Sequence, residues 1–160
     1  MLKRRSIGVE IDMIKAELKA LLDEYLPVGS DPTMYLATCD ATGPNVRPLS
    51  LVRDGLDFYF ATSRGSEMAG QLSSHCEVAF VCLLQKANQL GCLRVTGRAA
   101  EAAGTALRDA WTRAEGYDAS SYFPGGLDDP DLVAFCVEPT RVRLRLPGER
   151  EANVDVDLFR

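Results

Sequence analysis

The sequence predicts an α+β fold dominated by β: an antiparallel barrel of six to seven strands with peripheral helices. Three observations lead there. Short apolar segments are separated by turns rich in Gly, Pro and Asp, as expected of strands joined by tight connections. Near the C-terminus the period is strictly two: Val142, Leu144 and Leu146 alternate with Arg141, Arg143 and Arg145, and Val154, Val156 and Leu158 with Asn153, Asp155 and Asp157. Helical spacing is confined to two or three segments, enough to cover a barrel but not to build a bundle.

The first element is a helix over about residues 10–26. Ile11, Ile14, Leu18, Leu21, Leu22 and Tyr25 share one face, Lys15, Glu17, Lys19, Asp23 and Glu24 the other, and Pro27, Gly29 and Pro32 end it. Strands are expected over 34–39, 45–52 and 56–61, joined by the turns Asp40–Pro44 and Arg53-Asp54-Gly55. Ser66 is a suitable N-cap for a short helix from Glu67 to about Ser74, and Glu67 suits its positive end. The unbroken apolar run Val78–Leu84 reads as a strand buried on both faces. A strand over 90–99 follows, with a bulge or bend at Gly97. Ala103, Ala106, Leu107, Ala110, Trp111 and Ala114 form the stripe of a second amphipathic helix, closed by Gly116. After a loop over 117–130, Leu132–Val137 is another buried strand. Pro147-Gly148-Glu149-Arg150 should turn the chain so that Arg143 faces Asp155 and Arg141 faces Asp157. With no repeat or linker, residues 1–160 read as one domain.

Composition narrows the function. The chain has 160 residues, 46% hydrophobic and 26% charged, with a net charge of −5. That is a globular profile without the basic face of a general nucleic-acid binder. No apolar run approaches the roughly 20 residues of a membrane span. The basic start lacks the apolar stretch of a secretory signal, so a cytoplasmic location is expected. Cys39, Cys76, Cys82, Cys92 and Cys136 form no C-x-x-C pair and read as small buried hydrophobes. A single histidine, His75, is too few for a zinc site and has no serine-nucleophile signature to serve. Asp128, Asp129 and Asp131 read as a solvated loop rather than a cation site.

The segment Thr62–Leu72 is the informative one. A strand ending in Thr-Ser, then Gly-Ser and a helix, aims hydroxyls and main-chain N–H groups at one point, where a phosphate can sit. An ordinary capped turn gives the same pattern, and the segment alone does not separate the two.

The ordered set does more. Tyr35-Leu36-Ala37-Thr38, Gly43 to Pro48, Phe58 to Ser63, Ser66 to Leu72 and Val78-Ala79-Phe80 together resemble the pyridoxamine 5′-phosphate oxidase-like family of flavin-binding split β-barrels. Val95 to Ala99, Trp111, Tyr122-Phe123-Pro124-Gly125-Gly126 and Asp128 to Asp131 resemble its general stress protein subgroup. The resemblance implies a homodimer with FMN at the subunit interface. Arg47 matches the family arginine that reaches the flavin phosphate, and Thr62, Ser63 and Ser66 match its cradle. Pro48, Leu49 and Ser50 would run along the isoalloxazine. Met68, Gln71 and Trp111 complete the implied cofactor set, although spacing alone puts Trp111 in the core. Val52, Glu67 and Met68 stand where oxidases of the family carry cations, with Arg64 as a nearby substitute. The resemblance therefore implies weak FMN binding, strengthened by Met68→Lys, and a flavin-dependent oxidoreductase of unknown substrate rather than a vitamin B6 oxidase. A cofactor-free dimeric binding or stress-response module, and a haem (through His75) or deazaflavin relative, remain as alternatives. No catalytic acid, base or metal ligand is assigned.

Overall fold

The computed structural model describes residues 2–102 and 104–157. Ala103 of the expected helical stripe and Leu158 of the expected last strand lie outside them. Among the described residues are three helices, α1 (Leu2–Tyr25), α2 (Glu67–Ser74) and α3 (Gly104–Arg113), and eight strands. The strands are β1 (Thr33–Asp40), β2 (Gly43–Ser50), β3 (Val52–Asp54), β4 (Asp57–Ser63), β5 (Glu77–Lys86), β6 (Gln89–Ala102), β7 (Leu132–Arg145) and β8 (Val154–Asp157). All pair antiparallel in one curled sheet of order β2-β1-β5-β6-β7-β4-β3, with β8 on β7.

Inside the curl, alternate residues of each strand form the main core: Met34, Leu36, Phe58, Phe60, Leu93, Val95, Val142 and Leu144 are essentially inaccessible. Leu18 and Leu22 of α1, with Leu26 just after it, close one end. A smaller cluster, Leu107, Trp111 and Ala114 on Val52, Ala61, Leu132 and Ala134, seats α3 on the opposite face of β4 and β7. Arg53 ties α1 to this frame. Its guanidinium is buried and donates to Asp23 at 2.8 Å, to Leu26 O at 3.1 Å and to Gly55 O at 2.7 Å.

The C-terminal hairpin has the expected register, Arg141 opposite Asp157 and Arg143 opposite Asp155. Asp155 gathers both arginines, two bonds from Arg141 and one from Arg143. These contacts hold its carboxyl below the ordinary aspartate value, Arg141 contributing most.

Four expectations change. The N-terminal helix begins at Leu2 rather than near residue 10; the intervening sequence has no proline to stop it. Residues 132–145 are one strand through Pro139, because the bulge at Thr96/Gly97 lets β6 follow it. A Cβ at Gly97 would lie 2.3 Å from Glu138 O, so only glycine permits that approach. Val78–Leu84 is buried on one face only, with Leu83 53% exposed; its inner side packs into the core and nothing among the described residues covers the outer. Of the cysteines, Cys82 alone is buried and Cys39 is exposed, because they fall on both faces of the strands; all five are free thiols.

Candidate functional site

β2 is an edge strand, and its sequence is built for that position. The Leu51 N–H donates to Pro32 O, while Leu49 pairs with Met34 and Arg47 with Leu36. Hydrogen-bonded pairs alternate along an antiparallel ladder, so residues 44, 46, 48 and 50 turn their main-chain groups to the open edge. Pro44 and Pro48 occupy outward positions where no ladder N–H is needed. The edge thus offers the N–H of Ser50 and the carbonyls of Pro48 and Ser50 in one plane.

Across from this edge lies the end of β4. Between them is a cleft of ≈ 390 Å³ lined by Pro48, Leu49 and Ser50 on one side and Ala61, Thr62 and Ser63 on the other, with Tyr117, Tyr122 and Phe123 along a third wall. Burial pushes the Tyr117 phenol up to about 12, so it is a neutral donor at ordinary pH. Thr62 donates to Ser66 Oγ at 3.1 Å, and Ser66 Oγ caps α2 by accepting from the Ala69 N–H at 3.2 Å. The first N–H groups of α2, at Glu67 and Met68, have no acceptor within the helix. Ser63 Oγ is engaged elsewhere, donating to Asp131 at 3.0 Å.

Arg47 points to the inner side of β2, into a polar network centred on the buried Gln71. Gln71 Oε1 accepts from Thr38 Oγ1 at 2.6 Å and from both terminal nitrogens of Arg47, at 3.2 and 3.3 Å. Gln71 Nε2 donates to Asp40 at 2.7 Å and to Glu67 at 3.0 Å. Donors and acceptors on either side fix the amide's orientation. The consequence is specific. Arg47 is held by neutral oxygens, Thr38 Oγ1 at 3.0 Å included, while the amide stands between it and the two carboxylates. Its remaining guanidinium donors are unclaimed among the described residues. The bonds to Asp40, from Thr42 foremost and from Gln71, hold that carboxyl below its ordinary value.

The structure therefore brings Pro48, Leu49, Ser50, Thr62 and Ser63 onto one cleft, ties Ser66 to it through Thr62, and places Arg47 and Gln71 together in a polar cluster on the inner side of β2. Met68 and Trp111 are 3% and 4% exposed, in the two cores. The Trp111 Nε1–H donates to Tyr117 O at 3.0 Å, so it supports the cleft's third wall from behind. Val52, too, is core. A lysine at position 68 would bury its charge, so the expected gain in FMN binding from Met68→Lys does not follow. Arg64 points away from the cleft in this structure: it pairs with Glu101 at 3.1 Å and lines a separate cavity of ≈ 360 Å³ whose other arginine, Arg108, is paired with Asp128. The three loop aspartates do not converge, as Asp128 binds Arg108, Asp129 caps the N–H groups of Gly125 and Asp131, and Asp131 binds Ser63. His75 stands exposed at the end of α2. Sequence reasoning missed Thr38 and Asp40, which are linked to Arg47 only through pairing, and the cleft-lining Tyr117, Tyr122 and Phe123.

Comparison with known proteins adds family and fold. The family described as pyridoxamine 5′-phosphate oxidase matches residues 14–146. No curated protein sequence matches the chain. Among solved structures, general stress protein 26 from Bacillus anthracis superposes with a TM-score of 0.67 at 17% identity, over 88% of this chain and 98% of that one. A protein related to general stress protein 26, from Clostridium acetobutylicum, gives 0.65 at 20% identity, over 89% and 95%. A haem-binding protein from Mycobacterium smegmatis gives 0.67 at 18% identity, over 80% of this chain and 53% of that one. At these identities the likeness is one of fold.

Proposed function

The chain belongs to the pyridoxamine 5′-phosphate oxidase family, and from that premise we propose that it holds FMN in the cleft between β2 and β4 as a flavin-dependent oxidoreductase. One observation carries the reading: the β2 segment that edges the cleft with in-plane main-chain donors and acceptors also carries, next to Pro48, a cation, Arg47, whose side-chain partners among the described residues are neutral oxygens. A polar-edged planar ring needs the first and a phosphate the second. Bound flavin would supply the hydride or electron transfer; the protein would orient the ring and balance its charge. With Val52 and Met68 buried and Glu67 acidic, a single matched cation faces the phosphate, and binding is correspondingly weak. The Arg-rich C-terminal substrate segment of the true oxidases is not recognisable in residues 141–160, which speaks against vitamin B6 oxidation.

The reading includes a homodimer. Tyr35, Val46 and Leu83 are 42%, 67% and 53% exposed, and strand register puts them on one outer face with Ala37, Ala79 and Pro48. Pro48 belongs to both this face and the cleft, so a second copy seated there would complete a cleft wall. Such a dimer would bury more than ~2,000 Å² in total. Neither the sequence nor any described helix shows a membrane-spanning segment, and a cytoplasmic location is part of the proposal.

The test is the visible spectrum of the purified protein mixed with FMN or with haemin and passed through a sizing column equilibrated with the same ligand, with mass detection. The expected result is a flavin spectrum co-eluting with a dimer. A haem spectrum with no retained flavin would support the alternative relative, and retention of neither would support the cofactor-free module.

A further inference from the structure

Tyr122 is 72% exposed, the most exposed large apolar side chain among the described residues, and it lines the cleft. An exposed ring on a loop is ordinary; a backed one is not. Tyr122 meets Tyr117 edge-on, centroids 5.7 Å apart at 89°, and Tyr117 meets the buried Trp111 in the same manner at 5.0 Å and 69°. The Trp111 ring lies against Gly116, where any Cβ would come within 2.5 Å of it. The loop backbone is pinned as well: Asp118 accepts from Ser120 N–H at 3.0 Å, and the Tyr122 N–H donates to Ala119 O at 3.1 Å. A row of three rings thus runs from the core to the cleft and ends in one with a free face. The cost of ordering that ring is met by the fold before any ligand arrives.

We propose that Tyr122 is the stacking wall of the cleft, a specificity-determining residue that selects a planar heteroaromatic ring. The inference rests on the flavin reading of the cleft and adds to it a ring-recognition element separate from the phosphate. Aromatic stacking of this kind is independent of the ligand's charge, so it acts equally on a flavin with and without phosphate.

The experiment is a fluorescence titration of wild type, Tyr122→Ala and Tyr122→Phe with FMN and with riboflavin, each variant first checked for an unchanged thermal midpoint. Tyr122→Ala is expected to weaken both ligands by the same factor, about three- to tenfold, and to brighten the bound flavin by removing a ring that quenches it. Tyr122→Phe keeps wild-type affinity, because the ring and not the hydroxyl makes the contact. If the wild type binds both flavins and Tyr122→Ala matches it in affinity and brightness, the inference is overturned while the flavin reading stands. If the wild type binds neither flavin, the cleft reading fails and takes the inference with it.

Discussion

Arg47→Ala lowers the affinity for FMN by about 10- to 100-fold and leaves that for riboflavin unchanged, since each charge-assisted hydrogen bond to a phosphate is worth roughly 1.5–3 kcal/mol. The geometry makes Arg47 separable from the fold. Gln71 keeps Thr38, Asp40 and Glu67 as partners when the guanidinium is removed, and Arg47 is only partly buried. The cost therefore falls on the ligand. Arg47→Lys retains the charge but not the fork that grips Gln71 and Thr38, and its FMN affinity should fall between the two. Paired titrations with FMN and riboflavin at fixed low salt measure the difference. An equal loss for both flavins would mean that Arg47 shapes the cleft without touching the phosphate.

Met68→Lys destabilises the protein by at least about 3 kcal/mol, the scale of an uncompensated buried charge. Its neighbour behaves differently. Glu67 is exposed at the first turn of α2, so Glu67→Lys costs under ~1 kcal/mol, from the lost Gln71 bond and the helix dipole. It should also tighten FMN binding, because an anion near the phosphate is replaced by a cation. Urea unfolding of the two variants side by side checks the contrast. Wild-type stability in Met68→Lys would show that the side chain reaches solvent and that position 68 can serve as a cation site.

The contrast shows where the sequence was informative. Alternation in 141–146 and 153–157 specified the hairpin register because one face of each strand is buried, and a slip of one residue would turn the arginines inward. Ser66 and Glu67 marked the start of α2 through local capping chemistry. Met68 was legible both ways, as a family cation position and as part of the apolar face it shares with Leu72 and Ala69 on α2, whereas the core place of Val52 was not, since a single apolar residue at a strand end shows no side. The run 78–84 misled for a related reason. Its outer residues are as apolar as its inner ones, so composition could not report that one face is open. The Gln71 network was hidden altogether. Thr38, Asp40, Arg47 and Gln71 come from three elements, and only the β1–β2 register and the seating of α2 on β1 bring them together. The aromatic loop appeared as a motif, but its place against β2 depends on Trp111 packing behind it.

Hydrogen–deuterium exchange with and without saturating FMN tests the central claim most directly, because it reports where on the chain the ligand acts. The account predicts added protection confined to three stretches: 45–51 along the β2 edge, 62–72 through the start of α2, and 117–123 on the aromatic wall. Residues 104–108 and 126–128, around the charge-paired second cavity, should exchange as before. Protection concentrated at that second cavity, or none at the β2 edge with FMN bound, would contradict it.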